Sequence, residues 1–221
     1  MDIGNISSAQ VVASSLTYSH NSNGDGLIVR VSAWGDPGRT ISGVTYAGSA
    51  LTRIGTDYSP DGFYVVGFFK HTSPTAGANN VVVTASGSAD ITSGALSLTD
   101  SVGFTHSASL ANATGTTTTP SVAVTSVSGD LVLDNLSWFT SPLQTTNTEG
   151  AGQTRDYSIA ASGIQHGAGS RETATGASTT MSHTVGSNII DWSISGIAIT
   201  PPVAAGIAIP IITRQFRARS S

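Results

Sequence analysis

The chain has no cysteine, which rules out disulfides, thiolate metal sites and cysteine nucleophiles. Charge is scarce too. Asp, Glu, Lys and Arg make up 10% of the residues, against roughly 25% in typical soluble proteins. Nine Lys and Arg face thirteen Asp and Glu, for a net charge of −4. Three of those nine are Arg214, Arg217 and Arg219, so without them −4 becomes −7. Phosphate backbones are bound by clustered Lys and Arg, so the body of the chain is not expected to bind nucleic acid. The opening MDIGNISSAQ has neither the basic nor the apolar segment of a secretion signal. No run of about 18 apolar residues offers a membrane span. A chain that starts this way is expected to fold in the cytoplasm where it is made.

Ser, Thr, Gly, Ala and Asn fill the space that charge leaves, and period-two alternation dominates. Twelve runs read as strands, from Gln10–His20 and Leu27–Trp34 to Asp130–Trp138 and Ile189–Thr200, because side chains alternate between the faces of a strand. Asn23-Gly24-Asp25-Gly26, Asp36-Pro37-Gly38, Pro60-Asp61-Gly62 and Ser128-Gly129-Asp130 punctuate them. Gly accepts positive φ, Pro fixes φ, and Asx side chains bond nearby backbone. No amphipathic helix is found. The expected fold is all-β, a jelly-roll-like antiparallel sandwich over residues 1–201 with an extended arm over 202–221. The low-complexity run Thr114–Pro120 reads as a connector between two half-domains. The expected core includes Trp34, Trp192, Val31, Leu133, Ile194 and Val83.

Catalytic signatures are poor. Glycosidases need two carboxyl groups about 5 or 6.5–9.5 Å apart across a bond. The two glutamates, Glu149 and Glu172, fall in Gly/Thr/Ser-rich sequence. Asp130 and Asp134 share a strand face, but read as a turn residue and a solvated residue. A Ser–His–Asp set is not excluded by counting, with His20, His71, His106, His166 and His183 present, yet no G-x-S-x-G elbow occurs. His166-Gly167-Ala168-Gly169-Ser170 is Gly-rich with no helix after it. Clustered zinc-ligand spacing is missing. No catalytic residue and no cofactor is assigned. Asn21-Ser22-Asn23-Gly24-Asp25 offers hard oxygens of the kind calcium takes, but Asx/Gly clusters are also common hairpin turns. Trp138 and Phe139, at a strand end, are the candidate glycan platform.

The last residues, VAAGIAIPIITRQFRARSS after Pro201-Pro202, are apolar and then basic. Exposed apolar surface usually marks a contact. The arm is therefore expected to be an interface between subunits. Ile207, Ile209, Ile211, Ile212 and Phe216 would supply buried area, and Arg214, Arg217 and Arg219 charge.

Three segments carry a family resemblance: Val44-Thr45-Tyr46-Ala47-Gly48-Ser49-Ala50-Leu51-Thr52-Arg53-Ile54-Gly55, Gly129-Asp130-Leu131-Val132-Leu133-Asp134, and Ala174-Thr175-Gly176-Ala177-Ser178-Thr179-Thr180-Met181-Ser182-His183 followed by Asp191-Trp192 and Ile197-Ala198-Ile199. Together, over about residues 10–200, they resemble a lectin-like jelly-roll β-sandwich domain of phage and bacterial proteins found among virion structural genes. His183 stands where that pattern has Trp. The resemblance implies a non-enzymatic virion component, a capsid decoration or a tail or fibre part, made in the host cytoplasm and located in the virion. Its partners would be other virion subunits or further copies in a homo-oligomer, with no membrane. The alternative is a carbohydrate-binding module for host or environmental glycan, which would be extracellular.

Overall fold

The computed structural model describes residues 1–141, 146–161, 165–187 and 189–202. Among them every regular element is a strand, and every pairing is antiparallel. The sandwich expected from the alternation is what the chain forms. The first half contributes β1 (Asp2–Ser22), β2 (Gly26–Gly35), β3 (Ile41–Tyr46), β4 (Ser49–Ala50), β5 (Thr52–Tyr58), β6 (Tyr64–His71) and β7 (Gly77–Thr99). The second contributes β8 (Thr105–His106), β9 (Ala111–Gly115), β10 (Ser121–Thr125), β11 (Leu131–Thr140), β12 (Asn147–Glu149), β13 (Thr154–Ala160), β14 (Gln165–Thr173), β15 (Ser178–Val185) and β16 (Ile189–Thr200).

The two halves repeat one design. In the first, strands run β4-β3-β7-β2-β6-β5, with β1 on the other side of β7. In the second, β13-β14-β11-β16 continues to β9, and β12-β15-β10 forms a separate sheet. Gly26 pairs with Leu98 as Leu131 pairs with Ile199, a shift of 105 on one strand and 101 on the other. Leu27 pairs with His71 as Val132 pairs with Glu172, by the same shifts. These registers superpose Asp25 on Asp130, Ser32 on Ser137, Trp34 on Phe139, Lys70 on Arg171 and Asp90 on Asp191. Thr52-Arg53 falls on Thr154-Arg155. The guanidinium does the same job in each half, donating to the carbonyl of Ile41 in one and of Asn147 in the other. The preceding turns carry Gly48 at φ 81 and Gly152 at φ 88, a left-handed conformation that favours glycine.

The halves differ in continuity. β1 and β7 run through both layers of the first lobe and bend where their pairing slips, between Ala13 and Ser15. Their counterparts are interrupted, β9 from β10 by residues 116–120, while β15 ends at Val185 and β16 starts at Ile189. The Thr-rich run expected to connect two half-domains therefore lies inside the second lobe, and the chain crosses between lobes at residues 100–104. Two regular strands in the first lobe also exceed their expected lengths: alternation persists through β1 and β7 beyond the runs read from sequence.

Each strand separates two cores by parity, since successive side chains point to opposite faces. Leu27, Val29, Val31 and Ala33 enter the core inside the first lobe, with Val65, Phe69, Val81, Val83 and Ile91. Val132, Leu136 and Trp138 enter the core inside the second, with Met181, Val185, Trp192 and Ile194. A third core lies between the lobes, built from Ile28, Ile54, Phe68, Leu96 and Leu98 against Leu131, Leu133, Ile197 and Ile199. Fully burying such a side chain contributes roughly 1.5–3 kcal/mol, so this contact is core-like rather than a loose domain interface. Five of the six expected core residues are buried. Trp34 is the exception: it is half-buried, because it sits at the end of β2 on the face turned to the other lobe.

Close approach of the lobes depends on glycine. A Cβ at Gly94 or at Gly169 would strike the Tyr157 ring, and one at Gly167 would strike Thr92. Gly94→Ala should therefore destabilise the protein by roughly 1–3 kcal/mol, as overpacking does. Gly43, with nothing near its missing Cβ, is the control, and Gly43→Ala should shift the urea midpoint far less. Equal shifts for the two variants would show that Tyr157 is not wedged between the lobes.

Candidate functional site

Two groups of polar and aromatic side chains stand out. The first is a buried node inside the second lobe. Parity of β11 turns Asp134 towards β15, whose own alternation brings in His183. His183 Nε2 lies 2.8 Å from Asp134 Oδ2, with both side chains fully buried. His183 Nδ1 lies 3.1 Å from Asn147 Oδ1. Ser170 donates its backbone N–H to Asp134 Oδ1 at 2.6 Å and its hydroxyl to Oδ2 at 2.9 Å. Burial alone would raise the Asp134 carboxyl, but His183, the Ser170 backbone N–H and Arg30 together hold it below the usual carboxylate range.

Serine, histidine and aspartate thus meet, but not as a hydrolytic triad. A nucleophilic serine must present its hydroxyl to the histidine base, whereas the Ser170 hydroxyl is given to the carboxylate and the ring turns to Asn147. The node replaces core. At the matching positions of the first lobe stand Val29, Phe69 and Val83, all buried.

A second buried charge joins the lobes. Arg30, fully buried, donates through Nη1 to the carbonyls of Asp134 (3.2 Å) and Ser170 (3.1 Å), and through Nη2 to Asp156 Oδ2 (2.6 Å). Arg171 pairs with the other Asp156 oxygen. The Arg30 guanidinium lies 5.1 Å from the Tyr157 ring centroid, and the Tyr157 hydroxyl donates to Asn135 Oδ1 at 2.7 Å. Desolvation lowers the Arg30 pKa and raises that of Tyr157.

The second group is an aromatic edge at one end of the sandwich, where equivalent positions of the lobes meet. Trp34 stacks on Phe139 with ring centroids 5.3 Å apart and planes 21° from parallel. Both rings are half-buried. Beside them Phe63 is 40% exposed and Val12 is 56% exposed. Val12, Trp34, Gly35, Asp36, Phe63 and Asp90 are among the residues lining a groove of about 340 Å³. Tyr64 donates to Asp191, and its pKa is raised by burial and by that carboxylate.

The candidate platform needs a correction. Trp138 has no exposed surface; parity turns it inward, where it stacks on His166 at 4.9 Å. Phe139 is at the surface, but its partner is Trp34, which sequence reasoning assigned to the core. A Trp and a Phe 105 residues apart carry no local signal; only the superposition of the two halves reveals them.

Other candidates resolve as follows. Asp130 Oδ2 accepts the Val127 N–H at 2.8 Å, closing a turn. Asp134 is buried, not solvated as expected. Glu149 pairs with Arg155. His166–Ser170 lies within β14. In the Asx-rich turn, Asn23 Oδ1 accepts the Asn5 N–H at 2.9 Å and Asp25 Oδ2 the Ser101 N–H at 3.4 Å. Among the described residues, no three His, Cys, Asp or Glu side chains come together as metal ligands. Ile207, Ile209, Ile211, Ile212, Arg214, Phe216, Arg217 and Arg219 lie outside the described residues.

In class the molecule is a two-lobed, internally repeated, all-β sandwich. No family model, curated protein or solved structure matches the chain.

Arg30→Ala should cost roughly 3–5 kcal/mol in denaturant titration, since it removes one of the two cations on buried Asp156 and the donor to the Asp134 and Ser170 carbonyls, and breaking a buried pair is strongly destabilising; a loss under about 1 kcal/mol would count against that role. Acid should also weaken the fold in two windows. Burial depresses His20 and His166 to about 4, below their unfolded value of about 6.5. The unfolded state then binds more protons between those values, so stability is complete above about pH 6.5 and declines as pH falls towards 4. Asp134, depressed when folded, adds a loss only below its ordinary carboxylate range. NMR titration of the two imidazoles together with stability against pH checks this; histidines titrating near 6.5 in the folded protein would contradict it.

Proposed function

We propose that the protein is a non-enzymatic structural component of a virion, a capsid decoration or a tail or fibre part, that assembles with other virion subunits or its own copies through residues 203–221. The observation that carries this reading is where the reactive side chains go. Asp134, Ser170, His183, Arg30 and Asp156 are buried and bonded to one another or to backbone. They hold the lobes, and none faces a groove where substrate could lie. A body that is rigid and low in charge suits a mechanical role. The apolar-basic sequence after Pro202 suits attachment, because apolar surface gains by leaving water. Calcium has no place in this reading.

The scale of the attachment follows from area. Four large apolar side chains burying about 100 Å² each would supply roughly 10 kcal/mol at 25 cal/mol/Å². Ordering about a dozen residues costs a comparable amount. Backbone pairing with a neighbouring sheet edge would supply the difference.

Deleting residues 203–221 should leave a folded protein, with unchanged far-UV circular dichroism, that no longer assembles. Native mass spectrometry of full-length and truncated protein decides it. A truncated chain that still forms the same oligomers or still attaches to particles would refute assembly through the arm.

A further inference from the structure

From the aromatic edge we infer a second activity, beyond assembly: the groove beside Trp34 binds the end of a neutral glycan chain. Three features of the edge point to that ligand.

The rings are held in place before any ligand arrives. The Gly35 N–H donates to the Phe63 carbonyl at 3.2 Å, and the Gly38 N–H to the Gly62 carbonyl at 3.0 Å. Asp61 Oδ1 accepts the N–H groups of Phe63 and Tyr64 at 2.9 and 3.2 Å. These bonds clamp the turn that carries Phe63 against the turn that follows Trp34. Phe63 is therefore presented to solvent by a fixed backbone, and Trp34 is braced from behind by Phe139. A preorganised apolar surface avoids much of the ordering cost of binding.

The chemistry around the rings is that of a sugar site. A pyranose has an apolar C–H face and a rim of hydroxyls. Trp34, Phe63 and Val12 match the face. Asp36, whose side chain is 90% exposed, and the exposed Ser88 offer acceptors at the rim. A groove of about 340 Å³ lies at the small end of the roughly 300–1,000 Å³ range of small-molecule sites, which suits a chain end rather than an enclosed ligand.

Charge selects a neutral chain. Asp36, Asp61, Asp90 and Asp191 gather at this end, with Arg39 already paired to Asp36. Uronates, sialylated glycans and nucleic acid would meet repulsion, since like charges raise the energy of approach.

Tryptophan fluorescence reads this site selectively, because Trp138 is 0% and Trp192 6% exposed while Trp34 is half-buried at the groove. The full-length protein is titrated with cellohexaose, laminarihexaose, mannohexaose and chitohexaose, and with polygalacturonate as the acidic comparison. At least one neutral oligosaccharide should give a saturable emission change and protect Trp34 from acrylamide. Phe63→Ala, which alters an exposed ring and leaves the cores intact, should weaken that binding at least tenfold. Trp34→Phe should abolish the optical signal, with calorimetry following any residual binding. The inference fails if no neutral oligosaccharide saturates, if polygalacturonate binds more tightly, or if Phe63→Ala binds as wild type does. Assembly is scored separately by native mass, so loss of sugar binding leaves the assembly reading untouched and the converse also holds.

Discussion

One guanidinium decides how the two lobes sit. Arg30 leaves the face of β2 that looks across the sandwich and ends among groups from β11, β13 and β14. A charge taken that far from water must be partnered, because its desolvation costs several kcal/mol. The available partners are two carbonyls and a carboxylate whose relative positions exist only when the lobes are docked in this register. Sliding the lobes by one residue would turn those carbonyls away and leave the charge unpaired. The apolar cluster around Ile28 and Leu133 supplies attraction without direction; Arg30 supplies the direction. Asn135, at the matching position of the second lobe, reaches back to the Val31 carbonyl at 2.8 Å, as an approximate twofold between β2 and β11 requires.

The repeat also shows how one frame tolerates two interiors. The first lobe packs Val29, Phe69 and Val83 where the second holds Asp134, Ser170 and His183. Those polar groups are accommodated because they satisfy each other, and a fully satisfied network imposes geometry that an apolar cluster does not. The continuous β1 and β7 of the first lobe tie its layers together through backbone; the second lobe, where the same strands are broken, ties its layers through the node instead. Trp192 Nε1 adds a further bond across the break, to the Thr117 carbonyl at 2.9 Å.

Against this interior, the aromatic edge is a place where apolar side chains, Val12 and Phe63 among them, are left in water. The two lobes build it jointly, so its geometry is inherited from the Arg30-centred docking rather than from any one loop. No separate domain is needed to present these rings at the surface.

Composition and alternation were enough to determine the all-β sandwich, the turns at Asp130 and Asp61, and most of the core, because period two and Gly/Asx/Pro turn chemistry are local. The repeat was not legible, since the halves share positions such as Thr52-Arg53 and Thr154-Arg155 but few runs of identical residues, and the arginine follows its carbonyl acceptor by 12 residues in one half and 8 in the other, which breaks the spacing. The Gly-rich β14 was not among the strands read from sequence because glycine carries no alternation signal, whereas its glycines serve the close approach of Tyr157, Thr92 and Arg30. Parity along β11 was legible; which face of it meets the three-stranded sheet was not. That choice, made only when the lobes dock, buries Trp138, brings Phe139 onto Trp34, and sets Asp134 against His183. Each depends on contacts between residues tens to more than a hundred positions apart, and local preference carries no information about them.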